Sequence, residues 1–264
     1  MNLRKTLVAA ALGGAMSLPF AASAITIDGI TFGTGAVFQT VTLWEGDCAT
    51  GGPITGSSSA LCGVGTVESI TGDGAVTFWS AGDNNRELTL YFSGYTLASF
   101  NSIDVPGLID TDIILFNGGN VSLFSQDMSA PGYSAANPTG GPASIGSFTD
   151  GSLWLSLTGT PRPTAGNTTL TANADNLTGQ VTGTGYLDVT GGSAASYFDT
   201  NTQLFGADAG FTSGGDLTPN GTKWAFKGSA AVAGFAKDNT VPEPGTLALL
   251  GAGLVGLGMR RRKA

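Results

Sequence analysis

Leu88-Thr89-Leu90-Tyr91-Phe92-Ser93 and Ser152-Leu153-Trp154-Leu155-Ser156-Leu157-Thr158 decide the fold. In both, apolar side chains recur at every second position. That is the period of a half-buried strand, whose successive side chains point to opposite faces. Leu88, Leu90 and Phe92 share one face, and Thr89, Tyr91 and Ser93 the other. Leu153, Leu155 and Leu157 stand against Ser152, Trp154, Ser156 and Thr158. Working outward, Val76 and Phe78 alternate with Thr77 and Trp79, and Leu187 and Val189 with Tyr186, Asp188 and Thr190. Further strand candidates are 25–32, 36–44, 65–71, 96–103, 111–116, 120–125, 178–184 and 222–236.

Turn signals punctuate these segments: Gly72-Asp73-Gly74, Gly82-Asp83-Asn84-Asn85, Asn117-Gly118-Gly119-Asn120, Gly191-Gly192 and Gly214-Gly215-Asp216. Glycine adopts positive φ at no steric cost, and Asn and Asp side chains bond their own backbone, so such clusters turn the chain. No amphipathic helix of ordinary length interrupts them. Many short strands joined by such turns predict an all-β fold, an antiparallel β-sandwich of jelly-roll-like shape. A parallel β-helix is the alternative, but no fixed repeat period supports it. Residues 129–146, with Pro131, Pro138 and Pro142, and 161–167 read as long loops, the places where a rigid sheet carries binding groups.

The two ends differ from this body. Arg4 and Lys5 precede an uncharged apolar stretch, 7–20, and Ala22-Ser23-Ala24 gives the small-residue pattern read by signal peptidase. Residues 1–24 are therefore expected to be a signal helix delivered through the Sec machinery and cut after Ala24. The far end reads Val241-Pro242-Glu243-Pro244-Gly245, then an uncharged, mostly apolar run, then Arg260, Arg261, Arg262 and Lys263. The run, 245–259, is short for the ~30 Å hydrocarbon core. Flanking arginines that snorkel let so short a helix stop in a membrane, with the basic cluster cytoplasmic. The division expected is signal peptide 1–24, β-sandwich body 25–240 and a tail 241–264 holding a short membrane-stop helix.

Between the ends the body holds five basic residues and 18 of the 19 acidic ones, a net charge of −13. Such a surface is repelled by phosphates, which excludes a nucleic-acid partner. Glycine is abundant, 42 of 264 residues, yet 41% of the chain is hydrophobic and only 11% charged, which favours a folded, turn-rich body over disorder. Cys48 and Cys62 are the only cysteines, and in an exported chain such a pair forms a disulfide. There is no histidine, which removes Ser-His-Asp and Cys-His nucleophile systems and His-ligated zinc.

The tail resembles a PEP-CTERM sorting signal: Pro242, Glu243 and Pro244, then the apolar run, then Arg260, Arg261, Arg262 and Lys263 as the stop. The resemblance implies an exosortase partner that recognises the Pro-Glu-Pro motif and cuts near it. It also implies a Gram-negative host that makes exopolysaccharide. The protein then passes through an inner-membrane intermediate, touching the membrane transiently through its tail, before reaching the cell surface or extracellular matrix. The stretch Gly-Tyr-Leu-Asp-Val-Thr-Gly-Gly at 185–192 is similar to flocculation-associated members.

Chemistry-bearing groups within the body are sparse. Glu45 with Asp47, and Asp110 with Asp112, lie two apart and share strand faces, the minimum for a hydrolase using paired carboxylates. Nothing in their spacing marks a raised pKa, and no catalytic residue is assigned. Asp73, Asp83, Asn84, Asn85, Asp104, Asp110, Asp112, Asn173, Asp175 and Asn176 supply oxygens of the kind Ca²⁺ takes, although turns use the same residues. No metal ligand set is assigned, and Ca²⁺ is the one cofactor entertained. Trp44, Trp79, Trp154 and Trp224 all fall in expected strands; on a sheet face they would stack on sugars, whereas packing would bury them. The expected function is a non-enzymatic surface or matrix protein of biofilm or floc in contact with exopolysaccharide. A carbohydrate-binding module is the alternative, and a secreted hydrolase ranks last.

Overall fold

A computed structural model of the chain describes residues 24–54, 59–105, 109–163, 166–216 and 222–237, with Thr40, Val41 and Ile109 described by their backbone alone. The expected signal helix and membrane-stop helix lie outside these residues. The strands are β1 (Ile25–Ile27), β2 (Ile30–Phe32), β3 (Val37–Asp47), β4 (Ala60–Thr71), β5 (Thr77–Ser80), β6 (Arg86–Val105), β7 (Ile109–Asp127), β8 (Ser152–Gly159), β9 (Leu170–Asp175), β10 (Gln180–Gly191), β11 (Ala209–Asp216) and β12 (Phe226–Gly234). Two four-residue helices, α1 (Gly146–Thr149) and α2 (Ala195–Phe198), complete the regular structure among the described residues apart from single 3₁₀ turns. No helix among the described residues is long and apolar enough to cross a membrane.

The all-β, antiparallel class is as the alternation predicts. The two facing sheets of a sandwich are here one large sheet whose edges meet. Pairing runs β10–β11–β12–β3–β4–β6–β7, always antiparallel. β8 and β9 lie end to end in the last gap. β8 bridges the later halves of β7 and β10 (Val121, Leu157, Val189), and β9 their earlier halves (Ile113, Asn173, Thr182). The result is a barrel eight strand positions around, and closure leaves one-sided pairing, among the described residues, to β5, to the end of β6 beyond Thr96 and to the separate β1–β2 hairpin.

Several expected strands merge. Segments 88–93 and 96–103 are both β6, and 111–116 and 120–125 are both β7. The Asn117–Asn120 turn signal is a kink inside β7. Gly118 and Gly119 have φ of 70° and 91°, opposite Gly94 at 78° in β6. A Cβ on Gly119 would lie 2.1 Å from the ring of buried Tyr95, so only glycine lets the strand pass. At this level β7 exchanges β9 for β8 as its partner.

Alternation also slips once in β8. A bulge between Leu123 and Phe124 of the pairing puts Trp154 in the core at 0% exposure and leaves Leu153 41% exposed. Two strands, β9 and β11, lack the signals used above. The apolar positions of β9 are mostly alanine, and β11 ends in the Gly214-Gly215-Asp216 signal that reads as a turn. Gly214 and Gly215 stay in the ladder, and the close approach of β12 rests on Gly215 and Gly228: a Cβ on Gly215 would sit 2.8 Å from the Lys227 carbonyl oxygen, and one on Gly228 1.9 Å from that of Gly214.

The core fills the barrel unevenly. Where β3 begins and β7 ends, the β1–β2 hairpin plugs the interior. Phe32 packs edge-on to Trp154 (5.6 Å between centroids) and Tyr197 (5.7 Å) and tilted against Phe198 (4.9 Å), and Phe38 joins them. Trp154 Nε1 donates to the Ile27 carbonyl (3.0 Å) and Asn84 Nδ2 to that of Gly29 (2.9 Å), tying the hairpin down.

A smaller cluster lies outside the barrel wall. Cys62, Val64, Phe148 and Trp224 are its buried members, with Trp44, Cys48, Tyr91, Ala136 and Ile145 packed against them. The long segment 129–146 therefore supplies a lid over the outer face of β3, β4 and β6.

Candidate functional site

The sequence-derived site residues scatter. The signal-cleavage residues Ala22 and Ala24 straddle the start of the described chain, Ala24 being exposed just before β1. Pro242, Glu243 and Pro244, and Arg260, Arg261, Arg262 and Lys263, lie outside the described residues. Cys48 and Cys62 are joined in a disulfide, with 5.2 Å between their Cα atoms, that staples the end of β3 to the start of β4.

Two of the carboxylates suspected of holding Ca²⁺, Asp83 and Asp175, are spent on local turns. Asp83 Oδ2 accepts the Ser80 N–H (2.8 Å), and Asp175 Oδ1 those of Leu177 and Thr178. Asp110 and Asp112 do share a face, and Asn176 Nδ2 donates to both, at 2.9 and 3.0 Å. An amide donor occupies the space between them that a cation would need. Among the described residues no three His, Cys, Asp or Glu side chains gather as a metal site. Trp79, Trp154 and Trp224 are buried and Trp44 is half-buried in the outer cluster, so no tryptophan is offered to a sugar ring.

What the structure does bring together lies at the other end of the barrel from the hairpin plug, where β3 ends and β7, β10 and β12 begin. A cavity of about 250 Å³ opens there, lined chiefly by apolar side chains including Leu61, Phe92, Phe116, Ala172 and Phe211. An eight-stranded barrel is just wide enough either to fill with side chains or to hold one small ligand. The plugged end does the first and this end the second.

Glu45 lines the cavity. It is 7% exposed, and its register partners are Gly63 on β4 and Phe226 on β12. Its carboxylate makes no hydrogen bond or ion pair with any described residue, and burial alone pushes its pKa up to about 7. Asp47, two residues on, shares this face as the spacing predicts, yet behaves oppositely. Burial raises its pKa, but that effect is outweighed: its Oδ1 accepts Ala49 N, Thr50 N and Thr50 Oγ1, each at 3.0 Å, which holds the carboxyl below its usual range. One member of the pair caps a loop; the other is left unpaired in an apolar chamber. Spacing shows that the two share a face, but only the closed barrel shows what each of them meets.

Asp112 reaches the same cavity from β7, already engaged by Asn176. An open polar groove of about 620 Å³ also runs along the wall beside Thr42, Gln180, Thr182, Asp216, Lys227 and Ser229.

Comparison with known families gives one match: residues 240–263 fit the PEP-CTERM protein-sorting motif. No curated protein and no solved structure matches the chain. The chain carries an exosortase sorting signal and is an exported protein of that route.

Proposed function

We propose that the protein is a non-catalytic component of the cell surface or exopolysaccharide matrix, contributing to biofilm or floc architecture after exosortase removes its tail. The observation that carries this reading is the sorting motif at 240–263 on a body with a net charge of −13. A closed barrel stapled by a disulfide suits long residence outside the cell. The acidic surface suits bridging of polymers through divalent cations held loosely rather than in a built site. A non-catalytic role agrees with the environment of the carboxylates: the one cavity wall reached by two of them, Glu45 and Asp112, is mostly hydrocarbon and offers little to a sugar's hydroxyl groups.

The experiment is intact-mass measurement of protein recovered from the surface and medium of the host, joined to deletion of its gene. Expected are a mass beginning at Ile25 and ending near Pro242–Pro244, a gain of two hydrogens on reduction, and weaker aggregation and matrix yield in the deletion strain. A mass running through Ala264, or unchanged aggregation and yield, overturns the matrix reading. A second reading, carbohydrate binding without catalysis, draws on the polar groove beside Gln180 and Lys227. A glycan array silent with and without Ca²⁺ removes it.

A further inference from the structure

Protein interiors pack as densely as organic crystals, and unpaired buried carboxylates are strongly disfavoured. The barrel end departs from both rules at one place. The void is larger than the roughly 150 Å³ apolar cavity that takes up benzene, so a hydrocarbon chain of on the order of seven carbons fits it. Its wall includes Leu61, Phe92, Phe116, Ala172 and Phe211, and its charged group without a partner among the described residues is Glu45. The ionisable groups near Glu45 are both acidic. Asp47, on the same face of β3, is held by loop amides, and Asp112, from β7, by Asn176. The lining contributed by β4, β6, β9, β10, β11 and β12 contains no lysine or arginine. What is missing is a positive charge attached to a small apolar body.

We propose that this cavity binds a small, mostly apolar amine, its ammonium group pairing with the Glu45 carboxylate and its hydrocarbon part lying against Phe92, Phe116 and Phe211. An anionic amphiphile is excluded by two acidic side chains without a cation. A neutral alcohol gains the apolar contacts but leaves the charge unpaired. The amine alone satisfies both, and the protein's negative field draws it in. The proposal goes beyond the sorting and matrix reading and does not depend on it.

The test is calorimetric titration of the exported protein, recovered from its host with its disulfide closed, with hexylammonium, hexan-1-ol and hexanoate. Hexylammonium binds at pH 8.5. With the carboxyl titrating near 7, its affinity falls about thirty-fold by pH 5.5 as Glu45 takes up a proton. Hexan-1-ol binds more weakly and without that dependence, and hexanoate does not bind at pH 8.5. Glu45→Gln weakens hexylammonium at least ten-fold at pH 8.5, abolishes its pH dependence and spares the alcohol. Ala172→Phe fills the chamber and removes both ligands; if it does not fold, Glu45→Gln decides alone. Silence from the wild-type protein overturns the proposal. So does hexylammonium binding that Glu45→Gln leaves unchanged, since an amine gathered by the acidic surface would behave that way.

Discussion

The two ends of the barrel are built from the same strands and finished in opposite ways. At one, Phe32 and Phe38 each lie within 6 Å of both Trp154 and Phe198, and the indole N–H finds a carbonyl. At the other, Phe92, Phe116 and Phe211 surround an empty volume and a carboxylate without a partner. One end has a local segment, the β1–β2 hairpin, to fill it, and the other has none among the described residues. Stability therefore concentrates where the barrel is plugged, and the capacity to take up a ligand where it is not.

The sharpest way to break this contrast is to remove the plug. Trp154→Ala deletes a side chain with 0% exposure together with its hydrogen bond to Ile27. It should cost about 3–5 kcal/mol, read from the urea midpoint at constant slope. A loss under about 1 kcal/mol would mean that the aromatic cluster does not anchor the fold.

Next in size is the disulfide at the cavity end. Reduction frees a loop of about 15 residues and should cost about 3 kcal/mol. Hydrogen exchange should quicken in β3 and β4 near Cys48 and Cys62 before it does around Phe32. Uniform quickening would deny the two ends separate stabilities.

Glu45→Gln should act with the opposite sign. Below the ordinary carboxyl range Glu45 is protonated in folded and unfolded chains alike, and the substitution is neutral. As pH rises from 4.5 to about 7 only the unfolded chain ionises. The wild type therefore loses stability over that window, on the order of 3 kcal/mol in all, and the glutamine variant does not. Denaturation at pH 4 and pH 8 measures the difference directly; equal stabilities at pH 8 would show that the carboxylate is already paired.

The smallest effect is a matched pair. Ala36→Leu, at 0% exposure near the plug, should cost about 1–3 kcal/mol by overpacking, whereas Ala174→Leu has the cavity to grow into and should stay within about 1 kcal/mol of wild type. Equal costs would mean that the cavity wall has no room to spare.

Much of this was legible in the residues. Period-two alternation placed Leu88, Leu90 and Phe92 on one face and gave the all-β, antiparallel class. The cysteine pair gave the disulfide, and the tail residues from Pro242 to Lys263 gave the export route. Those are local signals, carried by side chains within one strand or one short motif. Turn signals misled where they are ambiguous: Gly118-Gly119 and Gly214-Gly215 both stay inside strands, because a glycine that permits a reversal equally permits a kink or the close approach of a neighbouring strand.

By itself the sequence determined the strand character, the charge, the disulfide pair and the sorting address, since each depends on neighbours a few residues away. Only the tertiary structure decided that the sheet closes, that Trp154 turns inward at a bulge, and that Asp47 is satisfied while Glu45 is not. Those outcomes depend on which distant strand arrives opposite. Residues 45 and 172, from β3 and β9, line one cavity only because β7 and β10 hold β9 in the ring.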